Sequence, residues 1–101
     1  MNHPALPLAD LPPGTQRALC LGGQALLLVN DGGTVHALAN ECSHAFMPLE
    51  GGRVVAGWIA CPAHGARFDL ASGEALGAPA REPVATYRVR VEDGQIFIDL
   101  P

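Results

Sequence analysis

The chain has 101 residues, enough for one core of ordinary domain size and too few for a large multi-site enzyme. Apolar residues make up 49 % and charged ones 16 %, and no apolar run approaches the roughly 18 residues of a membrane span, so the composition is that of a soluble globular protein. Ten acids against six bases give a net charge of −4, every base is arginine, and nothing polycationic is present to meet a phosphate backbone, which argues against nucleic acid as a partner.

Residues 1–13 hold four prolines and neither Lys nor Arg. They lack the basic start and apolar centre of a secretory signal, so the chain is expected in the cytoplasm. His3 is expected in a mobile terminus, and Cys20, in the apolar stretch Ala18 to Leu21, as a small buried hydrophobe. Gln24 to Asn30 and Thr34 to Ala39 flank Asp31-Gly32-Gly33, which predicts an antiparallel hairpin with His36 at a surface position. Between Asn40 and Pro83 the sequence is dense in Gly and Pro. It offers only short strands at Arg53 to Val55, Trp58 to Ala60 and Arg67 to Leu70, with Trp58 expected in the core. Tyr87, Val89 and Val91 alternate with Arg88 and Arg90, then Glu92-Asp93-Gly94 turns the chain into Ile96, Ile98 and Leu100. This predicts a second hairpin with one buried face and Phe97 in the core. There is no long helical periodicity and no repeat. A loop-rich middle of that length needs a clamp beyond burial.

The candidate clamp lies inside it. Cys42-Ser43-His44 is followed after sixteen residues by Cys61-Pro62-Ala63-His64-Gly65, and the short strands between them would bring the two turns together. Two thiolates and two imidazoles suit a tetrahedral zinc ion or a [2Fe–2S] cluster with unequal irons, and spacing alone does not choose. Cys-x-His is tight for two ligands of one ion and natural for a pair spanning two metals, which favours the cluster. A Cys/His nucleophile leaves the doubled box unexplained. Three cysteines cannot all pair internally, which also turns the reading from disulfides toward metal.

CSH at Cys42 to His44, CPAHGARFD at Cys61 to Asp69 and GAP at Gly77 to Pro79 resemble the Rieske iron–sulfur family, and within it the small soluble Rieske-type ferredoxins. The resemblance implies an all-β fold, an antiparallel β-sandwich or barrel over residues 1–101 with an inserted cluster-binding subdomain of two ligand loops at about 40–83. It implies a [2Fe–2S] cluster with Cys42 and Cys61 on the inner iron and His44 and His64 on the outer one. Gly77-Ala78-Pro79 would be a third loop covering the cluster, and Gly65 would permit close backbone approach. Phe46, Met47 and Pro48 would form a shield or a docking rim.

Two imidazoles in place of two thiolates leave the oxidised core near zero net charge. The step from about −400 mV for four-Cys clusters to at least about −150 mV for His₂Cys₂ clusters corresponds to about 6 kcal/mol for one electron. High-potential members, as the resemblance implies, add a disulfide and sulfur-directed hydroxyls. The matching positions here, Met47 or its neighbours, Ala63, Ala66 and Phe68, supply neither, which predicts a potential near the low end, about −150 mV. The implied function is one-electron transfer from a ferredoxin reductase to a terminal oxygenase of the ring-hydroxylating kind, without a catalytic site of its own and without membrane contact. The alternatives are a Rieske-like small subunit of a nitrite reductase or related oxidoreductase, and a zinc-stabilised interaction module.

Overall fold

The structure, a computed structural model, describes residues 2–43, 47–63, 65–77 and 80–100. Among the described residues nine strands follow in chain order: β1 (Asn2–Pro7), β2 (Gln16–Leu21), β3 (Gln24–Asp31), β4 (Thr34–Ala39), β5 (Val54–Val55), β6 (Trp58–Ala60), β7 (Arg67–Asp69), β8 (Thr86–Glu92) and β9 (Gln95–Asp99). Every pairing is antiparallel. A six-stranded sheet in the order β1-β9-β8-β4-β3-β2 curls into a nearly closed barrel, and β5-β6-β7 form a separate three-stranded sheet. Among the described residues the only helical element is the 3-10 turn Leu8–Asp10, and none is long and apolar enough to cross a membrane.

Both predicted hairpins form, β3–β4 in the register Asp31 to Thr34 and β8–β9 in the register Glu92 to Gln95. The apolar run in β3 does not alternate because both of its faces are covered. Leu26 and Leu28 pack with Leu11, Ala37, Ile96, Ile98 and Leu100. Leu27 and Val29 point the opposite way, to Leu38, Leu49, Ile59, Phe68 and Leu70. Full burial of such a side chain is worth about 2 kcal/mol, so β3 binds the small sheet to the large one.

The described residues of the 40–83 segment are held by side-chain bonds to the backbone. Gln16 of β2 donates from Nε2 to the Gly52 carbonyl (2.9 Å) and accepts at Oε1 from the Gly51 amide (2.8 Å). Asp31, the last residue of β3, accepts at Oδ2 from the Gly57 amide in the β5–β6 turn (2.8 Å). Asn40 Oδ1 accepts from the amides of Leu49 and Glu50, both at 3.0 Å, which closes the excursion from β4 on itself.

Four expectations are corrected. The first residues are not a mobile terminus: Asn2–Pro7 is an edge strand on β9, and His3 pairs with Ile98. Its prolines are tolerated because an edge strand has one side without a ladder. Cys20 is exposed, since β2 is the other edge of the large sheet and turns that side chain to solvent. Trp58 and Phe97 are half-buried, each with an arginine guanidinium 5.6 Å from its ring centre, Arg67 over Trp58 and Arg90 over Phe97. His36 is half-buried on β4.

Candidate metal centre

The cysteines of the two boxes lie in two connections, one between β4 and β5 and one between β6 and β7. Cys42 follows β4, and Cys61 follows β6 directly. Each loop is pinched by the same kind of bond. The Cys42 amide donates to the Met47 carbonyl (2.7 Å), and the Cys61 amide donates to the Ala66 carbonyl (2.6 Å). In both cases the cysteine bonds to the residue five positions later. The second loop is tightened further by the Gly65 amide, which donates to the Cys61 carbonyl (2.9 Å) at a positive φ of 73°.

Both cysteine residues are buried, Cys42 at 0 % and Cys61 at 2 % exposure, in one core cluster with Leu49, Ile59, Ala66 and Phe68. The loops around them run at the surface: Met47 is 49 % exposed, and Pro62 and Ala63 are exposed. Sulfur therefore sits on the interior side of the site. His44 and His64, with Ala45, Phe46, Ala78 and Pro79, lie outside the described residues. Among the described residues no three His, Cys, Asp or Glu side chains are grouped to hold a metal ion.

The flanks are positioned by the same local chemistry. Ser43 Oγ donates to the Glu82 carbonyl (2.6 Å), tying the first loop to the segment that returns to β8. Beyond β7 the chain turns at Asp69, whose Oδ2 accepts from the Ser72 amide and hydroxyl, both at 2.8 Å. The Ser72 amide, then its hydroxyl, hold the Asp69 carboxyl below its ordinary pKa, with a smaller contribution from His36. This turn sends Leu76 back beside β7, where its amide donates to the Arg67 carbonyl (2.8 Å), so Gly77 arrives next to the sheet that carries Cys61.

The Rieske [2Fe-2S] domain model matches residues 2–88. The chain belongs to the Rieske [2Fe–2S] domain family. Its cofactor is accordingly a [2Fe–2S] cluster, which decides between iron–sulfur and zinc where ligand spacing could not. The 3-phenylpropionate/cinnamic acid dioxygenase ferredoxin subunit of Escherichia coli strain K12 is 41 % identical over 99 residues, covering 96 % of this chain and 92 % of that protein. Among solved structures, the ferredoxin of Sphingomonas yanoikuyae B1 superposes with a TM-score of 0.91 at 33 % identity, each chain covered in full. A complex of reduced oxygenase and oxidized ferredoxin in carbazole 1,9a-dioxygenase superposes at 0.88 with 26 % identity, over 96 % of this chain and 91 % of the matched one. This Rieske protein is thus an electron carrier of the ferredoxin kind and not itself a catalyst, which favours the carrier reading over that of a nitrite reductase subunit.

The residues fit such a cluster by the chemistry of their donors. Two buried thiol groups on matched loops offer soft ligands from the protein side, and the apolar lining keeps water from the sulfur end. The sequence had not disclosed the frame around them: Gln16, Asn40, Asp31 and Ser43 act through bonds to distant backbone, which no local pattern announces.

Proposed function

We propose that this Rieske protein is the ferredoxin of a ring-hydroxylating dioxygenase system, taking one electron from a ferredoxin reductase and giving it to a terminal oxygenase. Cys42 and Cys61 hold the inner iron, and His44 and His64 hold the outer one. The observation that carries the assignment is the matched pair of pinched loops with buried Cys42 and Cys61, since a metal held from the interior by sulfur leaves its other face to the loop surface. The bound cluster supplies reversible one-electron chemistry. The chain's own residues bury its sulfur side, fix both loops and leave the exposed Met47 and Pro48 beside the first loop for contact with a partner. Docking of this kind is small and short-lived.

The named systems of the relatives, one for 3-phenylpropionate and cinnamic acid and one for carbazole, support an aromatic substrate for the partner oxygenase. We place the protein in the cytoplasm, where reducing conditions suit the exposed Cys20 thiol. The test is stopped-flow mixing of reduced protein with an oxidised ring-hydroxylating oxygenase. Transfer in the millisecond-to-second range with turnover of aromatic substrate is expected. A protein that is reduced by dithionite yet passes no electron to any such oxygenase would overturn the reading.

A further inference from the structure

Gln16 opens β2 at an edge of the large sheet, half-buried and paired with Val29, which belongs to the core cluster that includes Cys42 and Cys61. Both ends of its planar amide engage one pair of glycines: Oε1 accepts from the Gly51 amide and Nε2 donates to the Gly52 carbonyl. A carboxylate could not donate and an ammonium could not accept, so a neutral amide is the group that suits this pair.

The grip falls at a junction. Just before it, Leu49 and Glu50 donate to the side chain of Asn40, two residues ahead of Cys42, and the Cys42 amide donates to the Met47 carbonyl. Just after it, the Arg53 carbonyl accepts from the Ala60 amide (2.9 Å) and Val54 pairs with Ile59, so the chain beyond Gly52 runs beside the strand that ends immediately before Cys61. Residues 49–53 therefore join the segment of Cys42 to the strand that delivers Cys61, and Gln16 fastens their middle to the barrel. We infer that Gln16 is a positioning residue for the two cysteines: by holding Gly51 and Gly52 on β2 it fixes the segments of Cys42 and Cys61 relative to each other. The inference rests on the reading that both thiolates hold one iron, and the clamp achieves this without placing a further charge near the cluster.

The test compares cluster-loaded wild type with Gln16→Leu, which removes both bonds, with Gln16→Glu, which keeps an acceptor for Gly51 and loses the donor, and with Gly94→Ala. The last is a control strained at a φ of +75° in the β8–β9 turn, which makes none of these bonds. Hydrogen exchange at Gly51 and Ala60 is expected to quicken several-fold in Gln16→Leu, and less at Gly51 in Gln16→Glu, while exchange in β8 and β9 stays as in wild type. Electron paramagnetic resonance lines of the dithionite-reduced protein are expected to broaden in both Gln16 variants and to keep their wild-type width in Gly94→Ala, because only a loosened junction lets the two thiolates vary in separation. Should Gln16→Leu not take up a cluster, Gln16→Glu gives the same readings. Unchanged exchange at Ala60 or an unchanged line width in the Gln16 variants, or equal broadening in Gly94→Ala, would overturn the inference. Failure of the ligand assignment shows separately, as wild-type protein without a mixed nitrogen and sulfur signal, and exchange at Gly51 and Ala60 reads the junction in either case.

Discussion

At Gly52 and Gly73 the chain has no room for a β-carbon. One added at Gly52 collides with the Ala60 carbonyl oxygen, and one added at Gly73 collides with that of Val84, at a φ of +79°. Since the obstacle is backbone in both cases, Gly73→Ala is expected to cost about 3 kcal/mol in urea unfolding. Gly14→Ala, which meets nothing within 4 Å, carries only the strain of its positive φ, about 1 kcal/mol. Equal costs at the two positions would contradict the packing. Among the residues proposed as ligands, His64→Cys adds a thiolate's charge and is expected to lower the midpoint potential; an unchanged midpoint in a cluster-loaded variant would speak against His64. Cys20→Ser is expected to leave the cluster and the stability unchanged within about 0.5 kcal/mol, because that side chain faces solvent.

The hairpins separate what local sequence discloses from what topology decides. Asp93-Gly94 joins β8 to β9 with φ values of 50° and 75°, the left-handed pair that a two-residue hairpin requires, and the residue types announce it. The β5–β6 hairpin uses Ala56-Gly57 at 35° and 93°, with a residue poorly suited to that conformation, so only the flanking Val and Trp made its strands legible. Ala56→Asn is expected to stabilise the protein by about 1 kcal/mol, checked by urea midpoint. The edge strand β1 was hidden by Pro4 and Pro7, which read as a lead segment until β9 provides a partner. At the β7 turn, Asp69 works against acid. Its folded pKa lies below the ordinary 3.8, so its stabilisation is complete above that value and is lost as pH falls through the lowered one. Unfolding midpoints of wild type and Asp69→Asn should therefore differ at pH 6 and converge as pH falls below 3.8 and through the lowered value.

On the scale of the whole molecule, a radius of gyration of 12.6 Å agrees with the near 13 Å expected for this length, and the small sheet stands on one face of β3 and β4. The two boxes made the family and the cofactor legible, because thiolate and imidazole pairs in that order have few other chemical uses. The staples from Gln16 and Asp31 were not legible, since each joins residues that only the folded chain brings together. Ala66 and Phe68, both fully buried, bring no hydroxyl to the sulfur side, while the two backbone closures fix the loops. Redox titration is expected to give a midpoint near the low end for His₂Cys₂ clusters, about −150 mV, and a value above about +100 mV would show donors that these positions do not provide. The claim on which function rests is an asymmetric centre, sulfur on one iron and imidazole nitrogen on the other. Mössbauer spectroscopy of the oxidised, iron-57-loaded protein tests it most directly: two doublets of equal area with different isomer shifts are expected, and a single doublet would contradict it.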